Sequence, residues 1–142
     1  MTTTATAVNA PSAECVRKRR RTRALAIVAA AAATFVVWTV AVPIADVDLV
    51  VDSGSGPNTV GPVAVVLVTV LAGLAAWGLL ALLERFTRRG TTIWSWTAAA
   101  VLLVSLLGPI GSAEGGGATA ALLTMHVVTG AVLIPIMAVR RG

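Results

Sequence analysis

Four stretches of this chain are long, apolar and free of acidic residues, lysine and arginine, and that pattern leaves few folds open. They cover residues 24–45, 61–83, 93–110 and 118–139. A helix rises about 1.5 Å per residue, so about 20 residues cross a hydrocarbon core of about 30 Å. Backbone inside lipid must satisfy its own hydrogen bonds, which makes helices the structure these runs can take. A water-soluble fold is excluded by amount as well as by pattern. The chain has 142 residues, 57% of them hydrophobic and 12% charged. Soluble domains carry about 25% charged residues, and a short chain cannot bury so much apolar surface in its own core.

The basic residues give the topology. Arg17, Lys18, Arg19, Arg20, Arg21 and Arg23 precede the first run; Arg85, Arg88 and Arg89 follow the second; Arg140 and Arg141 follow the fourth. If four helices alternate in direction, all 11 Lys and Arg residues fall on one side. Basic loops stay cytoplasmic, so both termini are expected there. Asp46, Asp48, Asp52 and Glu114 lie on the other side. The net charge of +5 does not indicate nucleic acid, because the positive residues sit in short clusters beside apolar runs. Such clusters meet anionic headgroups.

Residues 1–23 read as a disordered basic tail and residues 24–142 as one membrane domain. Cleavage of the first run as a signal peptide is disfavoured, since it exceeds the usual length of about 7–15 residues. Pro43 also occupies the third position before a cut after Ala45, where a small residue is wanted. The outer segment 46–60 is expected to hold one short strand and then turn chemistry over 53–58. Trp94 and Trp96 open the third run and read as interfacial anchors, whereas Trp38 and Trp77 lie deeper. Glu84 and Arg88 are spaced for a helical ion pair. The single cysteine, Cys15, permits no internal disulfide.

His126 is the one ionisable side chain well inside a run. It lies eight residues into the fourth, about 12 Å along a helix, near mid-membrane, where such groups are functional candidates. Thr119, Thr129 and Gly130 share its face, forming a polar stripe expected to face the other helices. Thr69, Ser105, Trp38 and Thr39 fall at comparable depth, and one or more of them is expected to meet His126. The alternative is interhelical glue: a neutral imidazole satisfied by one hydroxyl and one carbonyl. A haem or metal role lacks a second ligand, because Met125 points elsewhere and Met137 is three turns away. Motifs for acyl transfer, zinc hydrolysis, phosphate binding or thiol redox chemistry are missing from the sequence. A non-enzymatic chain without a cofactor is therefore expected.

Short motifs punctuate the runs: W-T-V-A-V-P at 38–43, V-D-L at 47–49, V-G-P at 60–62, L-L-A-L-L-E-R at 79–85, L-L-G-P at 106–109 and M-H-V-V-T-G-A-V-L-I-P at 125–135. In this order the chain resembles a family of small membrane proteins of high-GC bacteria known only as a domain of unknown function. The resemblance implies a four-helix inner-membrane protein and supplies no activity or ligand.

The expectation is thus an all-α transmembrane four-helix bundle, up-down-up-down, in the cell membrane. Its expected role is a structural or accessory subunit, partnered by the bilayer and by a homo-oligomer or larger complex. Small residues such as Ala72, Gly73 and Ala76 suit helix contacts. The competing reading is a small transporter, channel or proton-linked sensor centred on His126.

Overall fold

The computed structural model describes residues 13–52 and 54–139. Residues 1–12 of the expected tail, Ser53 of the expected turn, and Arg140 and Arg141 lie outside the described residues. The fold is all-α, with four helical segments long and apolar enough to cross a membrane.

Helix α1, Ala13–Thr39, begins well before the first apolar run. The tail reading is corrected over 13–23, which is helical. Arginine, lysine and alanine are good helix formers, and Glu14 in the first turn suits the positive end of the helix dipole. The sequence reading followed apolarity alone and so placed the helix start too late. Segment Ala13–Ile44 has 32 residues, about 48 Å of helix, so its basic end extends beyond a core of about 30 Å.

The exit of α1 is shaped by Pro43. Proline has no N–H for the helical ladder, and Val40–Ile44 widens into a π turn. The turn closes where Ala45 N donates to Val40 O at 3.0 Å and Val47 N donates to Ala41 O at 3.0 Å. Asp46 follows at φ 52°, a left-handed conformation that aspartate tolerates.

The outer segment holds two strands, not one. Strand β1, Val50–Asp52, pairs antiparallel with β2, Pro57–Thr59. The Asp52 carboxylate accepts from Gly54 N at 2.8 Å and Gly56 N at 3.3 Å, closing the turn. β2 carries no alternation, and its proline sits at the start of an edge strand, so no strand pattern marked it. Ala113 bridges to Val51, and Leu49 is buried beneath the hairpin with Ala41, Val65, Ala121 and Met125.

Helix α2 is Pro62–Phe86, with proline in its first turn, where the missing N–H has no role. Helix α3, Gly90–Ser105, is followed by α4, Leu107–Ser112, and the two form the third span. Pro109 lies within α4, where it cannot continue the hydrogen-bond ladder. Helix α5 is Gly116–Ala138. Packing follows a ring: α1 touches α2 and α5, and α3 touches the same two from the opposite corner. The basic half of α1 packs with the later halves of α2 and α5, and residues near its other end pack with the earlier halves of the same two helices.

Three glycines set the closest approaches, one of them Gly130 of the last span, where a Cβ would collide with the Leu102 side chain of the third span. A Cβ on Gly90 would stand 2.7 Å from the backbone at Leu83 and Glu84, and one on Gly73 would meet Ile27 at 2.9 Å. The core around Ile27, Leu80, Trp94, Leu133 and Met137 sits toward the basic end.

Candidate functional site

The buried residues of helix α3 gather at its start. Gly90, Thr91 and Trp94 are its buried residues. Trp94 is 1% exposed, and its indole N–H donates to Ala76 O at 2.9 Å. Trp94 is therefore a core wedge, which corrects its expected role as an interfacial anchor. Trp96, two residues on, is 76% exposed. Position within a run did not distinguish them; their opposite helix faces did.

Beyond Trp94, the inward face of α3 continues through Ala98, Val101, Leu102 and Ser105. Ala98 is small, and it faces Ala72, Ala75 and Ala76 of α2. Apposed small side chains leave room that no neighbour fills. The result is a cavity of about 480 Å³. Its lips are the exposed Val68 and Ala72 of α2 and Val101 of α3. Its floor is α5, with Thr34 of α1 behind. The mouth faces sideways, where acyl chains lie if the four spans are in a bilayer.

Four of the expected polar residues line this cavity: Thr69, Ser105, His126 and Thr129. Thr119 does not; its hydroxyl donates to Gly115 O at 3.0 Å. Among the described residues none of the residues expected to meet His126 hydrogen-bonds to it. Thr69 donates to Val65 O at 2.8 Å and lies 3.2 Å from the Thr34 hydroxyl. Trp38 donates to Val60 O at 3.0 Å, Thr39 to Phe35 O at 2.9 Å, and Ser105 to Leu102 O at 3.1 Å. Each hydroxyl finds an acceptor one turn back on its own helix, an arrangement serine and threonine readily adopt.

His126 does the same. Its Nδ1 lies 2.8 Å from Leu122 O. A carbonyl only accepts, so Nδ1 carries the proton, and in the neutral ring Nε2 bears the lone pair. His126 lines the cavity, and Nε2 is its one ring nitrogen without a protein partner among the described residues. Nε2 is not among the solvent-inaccessible atoms.

The basic end carries a second polar feature that spacing did not reveal. Arg23 is 5% exposed and donates twice to the Glu84 carboxylate, at 3.2 and 2.6 Å. Arg19 approaches the same carboxylate at 3.6 Å. Spacing pairs Glu84 with Arg88; the structure brings two arginines of α1 to its carboxylate. A partner 61 residues away is invisible to local spacing. This contact places Arg17, Lys18, Arg20, Arg21, Arg85, Arg88 and Arg89 at one end of the bundle. Asp46, Asp48, Asp52 and Glu114 occupy the other.

Among the described residues no three His, Cys, Asp or Glu side chains gather as a metal site. Comparison with curated proteins and with solved structures gave no match. A sequence profile described as "Family of unknown function (DUF6069)" matches residues 14–142, nearly the whole described chain and all four spans. The chain therefore belongs to this family of unknown function.

Proposed function

We propose that this chain is a non-enzymatic accessory protein of the cell membrane, crossing it four times with both termini in the cytoplasm, and that its working part is the lateral cavity. One observation carries the reading: the cavity opens sideways between α2 and α3, over a floor that includes His126. A molecule dissolved in the bilayer enters such a site without crossing water. Cavities of about 300–1,000 Å³ lined mostly by apolar groups with a few polar ones are typical of small-molecule sites.

The orientation rests on the basic residues gathered at one end. The non-enzymatic reading rests on the lining. His126 is its one ionisable residue, and acid–base or nucleophilic chemistry needs a positioned partner group. No cofactor enters this reading. Gly73 is used within the bundle, against Ile27, while the exposed face of the third span, with Leu103 and Val104 of α3 and Leu107 of α4, is the surface offered to a second copy or a larger complex.

The competing reading, a transporter, channel or proton-linked sensor, keeps one supporting observation in the open lone pair of His126. The lining hydroxyls already bond their own helices, so they do not replace the hydration shell of an ion. That favours a sensor over a channel. Native mass spectrometry of the chain extracted directly into nanodiscs tests the proposal. A bound hydrophobic molecule or partner subunit supports it, and Ala72→Trp, which blocks the mouth, removes the small molecule. A strictly apo monomer contradicts it.

A further inference from the structure

Resting on that reading, we infer that the cavity selects an uncharged lipophile bearing a hydroxyl group, which donates to His126 Nε2, and that it rejects the counterpart with only an acceptor. The argument is an inventory of donors. Seven lining residues carry side-chain donors. Thr97, Ser105 and Thr129 donate to Ile93 O, Leu102 O and Met125 O at 2.9, 3.1 and 2.8 Å. Thr34 and Thr69 have acceptors at Ala30 O and Val65 O, at 2.9 and 2.8 Å. Trp94 Nε1 and His126 Nδ1 are held by Ala76 O and Leu122 O, at 2.9 and 2.8 Å.

Each of these groups has one proton and a backbone carbonyl to receive it. With a neutral imidazole, the cavity therefore presents acceptors and no free donor. His126 Nε2 is the strongest of them, because an imidazole lone pair carries no second bond here. A ligand hydroxyl that donates to it leaves nothing unsatisfied. A ketone, ester, ether or quinone carbonyl brings another acceptor into an apolar site, where its oxygen and Nε2 both go unpaired. Unpaired buried polar groups carry a penalty, and sites built around one hydrogen bond discriminate by it. The occupant is thus an alcohol or phenol with an apolar body, such as an isoprenoid alcohol or a reduced ring. A charged headgroup has no counterion in the lining and is disfavoured.

The test uses two matched probes, 4-heptylphenol and its methyl ether 4-heptylanisole, titrated into the full chain in nanodiscs with empty discs as background. The wild-type chain is expected to bind the phenol saturably and the ether about tenfold more weakly. His126→Phe is expected to bring the phenol down to the ether's affinity while helicity by circular dichroism is kept. His126→Gln, which offers a carbonyl acceptor, serves as a second variant should His126→Phe fail to fold, and is expected to retain part of the preference. Equal binding of both probes, abolished by Ala72→Trp, overturns the donor inference and leaves the cavity proposal standing. Saturable binding of neither probe overturns both.

Discussion

The guanidinium of Arg23 holds the carboxylate of Glu84 through two hydrogen bonds, at 3.2 and 2.6 Å, joining α1 to α2 at the basic end of the bundle. Two prongs fix orientation as well as distance. Arg23 is nearly sealed from solvent while Glu84 keeps some exposure, with side-chain values of 7% and 21%. Removing one member leaves the other charge in a poorly solvated place, which costs more than the pair itself contributes.

Glu84→Ala is therefore expected to destabilise the bundle by about 2 kcal/mol, below the range of about 3–5 kcal/mol for fully buried pairs because Glu84 is partly exposed. The double variant Arg23→Met/Glu84→Met is expected to recover most of the loss. Unfolding by increasing SDS in mixed micelles reads both. A double variant as unstable as the single one would contradict the account.

The glycines separate in the same assay. Gly90→Ala places a Cβ against backbone at Leu83 and Glu84, which cannot yield without moving α2 from α3. A loss of about 2 kcal/mol or more is expected, at the upper part of the usual overpacking range. Gly73→Ala meets only the Ile27 side chain, which can rotate, and is expected to lose less than half as much. The reverse order would show that the α2–α3 turn is not packed as described.

The two neighbouring tryptophans are expected to differ sharply. Trp94→Phe loses the hydrogen bond to Ala76 O and opens space in the core, an expected loss of about 2 kcal/mol. Trp96→Phe is expected to change stability by less than about 0.5 kcal/mol, as exposed substitutions usually do. Acrylamide quenching of each single-tryptophan variant provides the check: Trp94 is expected to be shielded and Trp96 quenched. Equal quenching would place both at the surface.

Ala98 marks the point where packing yields to space. Ala98→Leu extends an apolar side chain into the cavity, and filling a void commonly adds about 0.5–2 kcal/mol. A gain in stability with loss of 4-heptylphenol binding is expected. A variant that is less stable, or that still binds the phenol at wild-type affinity, would show that the space is not where the structure puts it.

The four spans were legible because lipid permits so few backbone solutions that length and apolarity decide them. The polar residues were legible as a set: Thr69, Ser105, His126 and Thr129 share depth and do gather around one cavity. Their bonding was not. Depth along a helix says nothing about whether a hydroxyl reaches across to a neighbour or back to its own carbonyl, and here each reaches back. Trp94 and Trp96 are adjacent in depth but point to opposite faces. The Arg23–Glu84 contact and the second strand at Pro57–Thr59 depend on partners far away in sequence, and no local period announces such partners.

The account stands on four membrane crossings with the arginine-bearing end inside the cell. In a Cys15→Ser background, Asn58→Cys on the hairpin and Arg89→Cys before α3 report opposite faces of the bundle; both positions are exposed. A membrane-impermeant maleimide applied to intact cells is expected to label Asn58→Cys at once and Arg89→Cys only after lysis. Labelling of Arg89→Cys in intact cells, or of both positions alike, would contradict it.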